Sequence, residues 1–257
     1  MKKWLFFLFL TPQLFALYMG NPSAPEIVKE GFFFSKENWF AVKAGYQRDW
    51  VFDRNMRAVS KVSGRMDGFD FIADQGVLTF NLLNRIEVFG SAGAARFHAT
   101  HRPTAQMRQE YETNDQFIWG IGGRGTFLTW KNASFGIEGG YTKAHPTMKW
   151  MTRNGTPIDP RPGSKLTYHE WQVGLGVSYQ IEAFTPYIGA KYSNAGGRFK
   201  HLPVGTLASG RHFKTKSRRK FGMAIGTTLS NGNRFAATVE ARLIDEQSMT
   251  LAAEVKF

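Results

Sequence analysis

The stretch from Tyr168 to Ile181 constrains the fold more than any other part of the sequence. Its odd positions read His169, Trp171, Val173, Leu175, Val177, Tyr179 and Ile181, and its even positions Glu170, Gln172, Gly174, Gly176, Ser178 and Gln180. Side chains alternate across a β-strand, so this segment has one apolar face and one polar or small face. Soluble strands usually run about five or six residues, whereas a tilted strand crossing a bilayer needs about nine to eleven. Trp171 and Tyr179 bound the apolar face, where a transmembrane strand carries its interfacial aromatics. Phe184 to Ser193 repeats the pattern, with Phe184, Pro186, Ile188, Ala190 and Tyr192 on the apolar side.

The same unit recurs along the chain. Phe40, Val42, Ala44 and Tyr46 alternate with Lys43, Gly45, Gln47 and Asp49, and comparable runs span Phe69–Leu83, Ile86–Phe97, Phe117–Phe127, Phe135–Tyr141, Phe221–Leu229, Phe235–Leu243 and Met249–Phe257. Polar connections at Asp53–Gly68, His98–Asn114, Ala144–Leu166 and Asn194–Lys216 alternate with short turns at Asn84-Arg85, Lys131-Asn132, Glu182-Ala183 and Asn231-Gly232. A last tight turn falls at Asp245-Glu246. Short periplasmic turns and long external loops are the arrangement of bacterial outer-membrane barrels. The expected fold is therefore all-β, a transmembrane antiparallel up-and-down β-barrel of about ten strands. The count rises to about twelve if Arg57–Arg65 or a long loop hides a further pair.

Composition agrees without adding detail. Hydrophobic residues make up 42% of the 257 residues, an average that alternating strands produce as readily as a soluble core does. There is no cysteine, which excludes disulfides, thiolate nucleophiles and cysteine metal sites. Lys2 and Lys3 precede the apolar run Trp4–Leu10, and the breakers Thr11, Pro12 and Gln13 lead to the small residue Ala16. This is the layout of a secretory signal peptide, expected over residues 1–16. An exposed periplasmic arm over 17–38 and the barrel over 39–257 are expected to follow. The net charge of +13 becomes +11 when Lys2 and Lys3 leave (13 − 2). In an exported protein such a balance favours anionic lipid over nucleic acid.

Several segments resemble the chlamydial major outer membrane porin family. They are Leu17–Pro22, Gly45–Arg54, Leu83–Gly90, Tyr168–Gln172, Phe184–Lys191 and Thr238–Glu246, together with the terminal Phe257. The resemblance implies an outer-membrane porin that passes small hydrophilic solutes, forms homotrimers, and reaches the barrel-assembly machinery through Phe257. The family is rich in cysteines that crosslink the envelope, a role this chain does not carry.

A porin performs no covalent chemistry, and the charges on its inward face set ion preference. The inward candidates are Lys43, Glu87, Arg124, Glu138, Glu170, Lys191, Lys220, Glu240, Arg242 and Glu254, with Asp49 and Lys256 beside them. The blander reading is that these pair within a packed, plugged interior, as in the smallest barrels. Repeated inward glycines (Gly120, Gly122, Gly136, Gly140, Gly174, Gly176, Gly222, Gly226) favour an open lumen. The positive balance suggests a mild anion preference. The competing function is a closed structural or adhesive barrel that binds partners through its external loops.

Arg198, Lys200, Arg211, Lys214, Lys216, Arg218 and Arg219 form the external basic cluster, which is suited to outer-membrane lipid and lipopolysaccharide phosphates or to nothing but water. No cofactor, metal or nucleic acid is expected: the histidines lie in or beside loops without convergent partners. Ser164 near His169 is the one hint of an enzyme.

Overall fold

The computed structural model describes residues 18–28, 39–59, 64–203, 212–230, 232 and 234–257. The expected signal peptide over residues 1–16 lies outside the described residues, as does Arg211.

Ten long strands close the barrel: β1 (Phe40–Arg54), β3 (Arg65–Leu82), β4 (Ile86–Thr104), β6 (Gln116–Trp130), β7 (Ala133–Ala144), β10 (Lys165–Tyr179), β11 (Phe184–Lys200), β13 (Phe221–Ser230), β14 (Phe235–Leu243) and β15 (Glu246–Lys256). Each pairs antiparallel with its neighbours in the order β3-β1-β15-β14-β13-β11-β10-β7-β6-β4, and β3 pairs with β4 to complete the circle. Closure removes every unpaired edge, which a barrel in lipid requires because no water reaches an open strand there. The strand closing the ring to the C-terminus is β15, whose partner β1 takes it from Lys43↔Lys256 to Arg54↔Glu246. The backbone N–H of Phe257 donates to Val42 O at 2.8 Å, so the terminal residue is part of the wall.

The apolar faces point outward as the alternation requires. Leu175, Tyr179, Ile188, Ile225, Leu229 and Val239 are all exposed, although they are apolar. Aromatics rim this band at both ends. Trp119–Tyr141, Trp171–Tyr192 and Tyr192–Phe221 lie with ring centroids 5.1–5.4 Å apart on the external side. Trp39, Phe40 and Phe80 gather on the periplasmic side, with Phe40 and Phe80 stacked at 6.0 Å. An exposed apolar band with aromatic girdles is stable only against hydrocarbon.

The long connections differ from the polar loops expected. β4 continues to Thr104 and is extended by β5 (Met107–Thr113), β8 (Met148–Arg153) and β9 (Thr156–Ile158). β11 continues to Lys200 and pairs with β12 (Phe213–Ser217), which pairs with β2 (Met56–Ala58). The reason is a core of their own. Phe69, Phe71, Phe97, Tyr111, Tyr168, Phe199 and Phe213 are almost completely buried inside the external half of the barrel. Their burial repays the ordering of strands that lipid does not support.

Candidate functional site

The lumen is the candidate site, and the described chain fills it in three tiers. The periplasmic tier holds a part of the chain itself. Residues 18–28 enter the barrel, with a short helix α1 (Ala24–Ile27) that carries Pro25 in its first turn. For these residues this corrects the exposed periplasmic arm expected over 17–38, since Met19, Asn21, Ile27 and Val28 are buried; residues 17 and 29–38 of that expectation lie outside the described residues. The physical reason is that the wall satisfies the segment's backbone group by group. Glu240 accepts the N–H groups of Met19 at 3.1 Å and Gly20 at 2.8 Å. Thr126 donates to Pro22 O at 2.8 Å, Lys43 to Ala24 O at 2.9 Å, Asn81 to Pro25 O at 2.9 Å and Lys256 to Val28 O at 2.9 Å. Asn21 donates to Thr228 Oγ1 at 3.0 Å and to Thr185 O at 3.1 Å.

The inward glycines take on a different meaning here. A methyl group built on Gly176 would lie 2.7 Å from Pro22, one on Gly174 3.2 Å from Met19, and one on Gly136 2.8 Å from Pro22 O. These three make room for the inserted segment, whereas Gly120, Gly122, Gly222 and Gly226 make room for wall side chains of Ser91, Phe89, Asp245 and Tyr187; the open lumen they suggested is occupied. Beside Tyr18 and Arg124 two small cavities of about 30 and 20 Å³ remain, room for water but for no larger solute.

The middle tier is a closed charge network. Arg54 pairs with Glu170 at 2.8 Å and with Asp245 at 3.2 Å. Lys191 lies 3.2 Å from Asp245 and 2.5 Å from Glu246, while Arg242 bridges Glu246 at 2.8 Å and Asp49 at 3.2 Å. Both side chains of each of these pairs have 0% of their surface exposed, so each charge depends on its partners for solvation. The third tier is the aromatic core already described, with Tyr168 stacked on Phe69 at 5.5 Å.

Of the ten inward candidates, nine point into the lumen. Lys43 pairs with Glu87 at 2.6 Å and Glu254 at 3.0 Å, and Arg124 pairs with Glu87 at 3.2 Å. Glu138 accepts from Gln172 at 2.8 Å. Glu170, Lys191, Glu240 and Arg242 stand as described above. Lys220 is a correction. β13 begins only at Phe221, so alternation does not reach position 220, and the ammonium lies outside the wall, 5.6 Å from the Tyr192 ring centroid. Sequence reasoning missed Arg54, Asp245 and Glu246. A bulge between Val51 and Asp53 reverses the parity of β1 and turns Arg54 inward. Asp245 sits in the last tight turn and Glu246 opens β15, where both were expected as turn residues.

Among the described residues the buried charges comprise six cations (Lys43, Arg54, Arg124, Lys191, Arg242, Lys256) and seven anions (Asp49, Glu87, Glu138, Glu170, Glu240, Asp245, Glu246). Glu254 adds an eighth, partly exposed anion. The +13 excess therefore lies elsewhere, and the argument from net charge to anion preference fails. Of the external cluster, Arg198 and Lys200 lie on β11, Lys214 and Lys216 on β12, and Arg218 and Arg219 in the exposed link to β13.

The enzyme hint dissolves on inspection of positions. Ser164 donates its hydroxyl to His201 O at 2.7 Å, and His169 faces outward against Gly196. His98 and His101 face opposite sides of β4: His98 contacts Asp70 at 2.9 Å outside, and His101 stacks on Phe213 at 4.2 Å inside. Among the described residues no three His, Asp or Glu side chains converge as metal ligands.

A closed cylinder with an apolar, aromatic-rimmed outer wall and a polar interior defines the class: this is an outer-membrane β-barrel, resident in the bacterial outer membrane. Residues 154–205 and 204–257 match the family described as Chlamydia major outer membrane protein. The chain is 22% identical to a major outer membrane porin of Chlamydia psittaci, covering 94% of this chain and 95% of that protein. It is 23% identical to the serovar F major outer membrane porin of Chlamydia trachomatis, with the same coverage. The beta domain of the Bordetella autotransporter BrkA matches over 86% of this chain and 99% of its own, at 12% identity and a TM-score of 0.45. The chain is thus similar to the chlamydial major outer membrane porins along nearly its whole length, and it matches the family's pattern over residues 154–257.

Proposed function

We propose that the chain is an outer-membrane porin, passing ions and small hydrophilic solutes by diffusion, and that the conformation described is its closed state. The observation that carries this reading is the way residues 18–28 occupy the lumen. They are held by hydrogen bonds from polar wall side chains, contacts that water can replace when the segment leaves. With the segment withdrawn, Lys43, Glu87, Arg124, Glu138, Glu240, Glu254 and Lys256 would line the periplasmic half of the path, four carboxylates against three cations. Their excess of carboxylates favours a weak cation preference, opposite in sign to the expectation from net charge.

Planar-bilayer recording of the refolded chain tests this directly. The expected result is gated conductance that becomes more continuous on deletion of residues 18–28, with a reversal potential displaced toward the cation Nernst potential. Background conductance from both proteins would overturn it. Oxidising the pair Asn21→Cys and Thr228→Cys, whose native side chains touch at 3.0 Å, should hold the channel shut until reductant is added.

The same reading assigns the chain no covalent chemistry. It gives Phe257, paired into the wall, the role of recognition end for the barrel-assembly machinery, and it adopts the homotrimer implied by the family resemblance. A second reading, a closed structural or adhesive barrel, draws on the aromatic core of the external tier, which solutes would have to part. Silence of the deletion protein in the bilayer, with surface attachment retained, would favour it.

A further inference from the structure

The external wall carries two flanks of different electrostatic character. On the side formed by β3, β4, β5 and β8, cations are matched by acids. Arg65 pairs with Asp67 at 2.7 Å, Arg96 with Asp115 at 3.2 Å, Arg108 with Glu110 at 2.7 Å and Lys149 with Glu112 at 3.6 Å. On the side formed by β7, β10, β11, β12 and β2 the cations have no such partners among the described residues.

Strand register places these unpaired cations in rows. Trp119, Lys143, His169, Gly196, Lys216 and Arg57 follow one another directly across six neighbouring strands. One step farther from the membrane, Thr167, Arg198 and Lys214 form a second row. The buried neighbours Thr142, Ala144, Phe199, Phe213 and Thr215 face inward, so Lys143, Arg198, Lys214 and Lys216 face outward. From Lys143 to Arg57 the first row spans about 19 Å, four strand spacings, and the rows stand about 7 Å apart. Like charges directly opposite each other on adjacent strands are destabilising. Lys216 faces Arg57 and Arg198 faces Lys214 in this way. The field extends to His145 in the nearby connection. Burial first, and then the charges of Lys143, Lys165 and Lys200, hold its imidazole below the ordinary value.

The depth of the strip identifies its counterpart. Of the external aromatic girdle, Tyr141 and Trp171 lie one outward position below the first row on β7 and β10, Tyr192 lies two below it on β11, and Trp119 stands in the row itself on β6. Aromatic girdles mark the headgroup level, and Lys and Arg stems reach along the wall to set their charge there. The cations therefore stand where the phosphates of outer-leaflet lipid stand, unmatched by acids among the described residues and facing the bilayer rim.

We propose that Arg57, Lys143, Arg198, Lys214 and Lys216 form a binding strip for the phosphate groups of an anionic lipid in the outer leaflet, fixing the rotational setting of the barrel in its membrane. The inference rests on membrane placement and on no property of the lumen, so it stands or falls independently of conduction.

The test uses the full chain refolded in dodecyl maltoside and titrated with diphosphorylated lipid A, with native mass spectrometry counting bound lipid. Phosphatidylcholine serves as the zwitterionic reference. Retention of lipid A at least tenfold over phosphatidylcholine is expected. Arg198→Glu/Lys214→Glu/Lys216→Glu should lower it at least tenfold, and the neutral set Arg198→Gln/Lys214→Gln/Lys216→Gln by a smaller factor. Lys131→Glu, on the opposite rim, should leave retention unchanged. Heat-modifiable mobility on gels verifies that each variant is folded. Equal retention of the two lipids, full retention by both triple variants, or displacement of bound lipid by inorganic phosphate at equal phosphate concentration would overturn the assignment.

Discussion

Glu240→Gln is the perturbation most informative about the lumen. Its carboxylate accepts two backbone N–H groups of the inserted segment, from Met19 at 3.1 Å and Gly20 at 2.8 Å, and also the Tyr187 hydroxyl at 2.8 Å. An amide of the same shape keeps one acceptor oxygen and turns an NH₂ toward the other N–H. One charge-assisted bond is lost and a second becomes neutral. At about 1.5–3 kcal/mol for a hydrogen bond to a charged group, the inserted state should weaken by about 2–3 kcal/mol. That corresponds to about a 30- to 150-fold rise in the ratio of withdrawn to inserted segment. Arg242 loses its longer ionic contact with Glu240 at 3.4 Å, but the rest of the charge network survives because it keeps Asp49 at 3.2 Å and Glu246 at 2.8 Å. The assay is single-channel recording at fixed voltage, reading the ratio of open to closed dwell times in native and variant protein. A variant that folds with native heat-modifiable mobility and shows unchanged dwell times would refute the claim that these two bonds hold the gate.

Other outcomes follow from the same geometry. Arg54→Met removes the partner of Glu170, Asp245 and Glu246 in a fully buried site and should cost about 3–5 kcal/mol, read as a lower urea midpoint for loss of the heat-modified band. Above the lipid band, the hydrogen bond to Asp70, opposed by partial burial, raises the pKa of His98 above its ordinary value. The small stabilisation from this pair is therefore complete at pH below the unfolded histidine value and disappears as pH rises through the raised folded one. NMR titration should place His98 above a free histidine, and Asp70→Asn should bring it back. Nitroxide labels should alternate in oxygen accessibility between Val239, which faces lipid, and Thr238, which is buried in the lumen; equal accessibility would contradict the assignment of faces.

Much of the architecture was legible from alternation alone. A segment such as Phe184–Tyr192 cannot place Ile188 and Lys191 on the same side, so its faces follow from the chain order of its residues. The inward placement of Lys43, Glu87, Arg124, Glu138, Glu170, Lys191, Glu240, Arg242 and Glu254 followed in the same way. Lys220 and Arg54 mark where that logic stops: one lies just before its strand begins, and the other lies beyond a bulge. Neither a strand end nor a bulge leaves a periodic trace.

What lies inside the cylinder was beyond the sequence. Local pattern determines which side of the wall a residue takes, because adjacent residues settle that between themselves. It says nothing about what approaches from a distance: Glu240 and Gly20 are 220 residues apart, and Arg54 and Asp245 are 191. Glycines that read as empty space proved to be seats for Met19 and Pro22, and a basic chain proved to have a lumen with slightly more acid than base. Only closure of the barrel decided these points, since it alone brings those groups within hydrogen-bonding reach and separates the charges paired with one another inside from those that face the membrane rim.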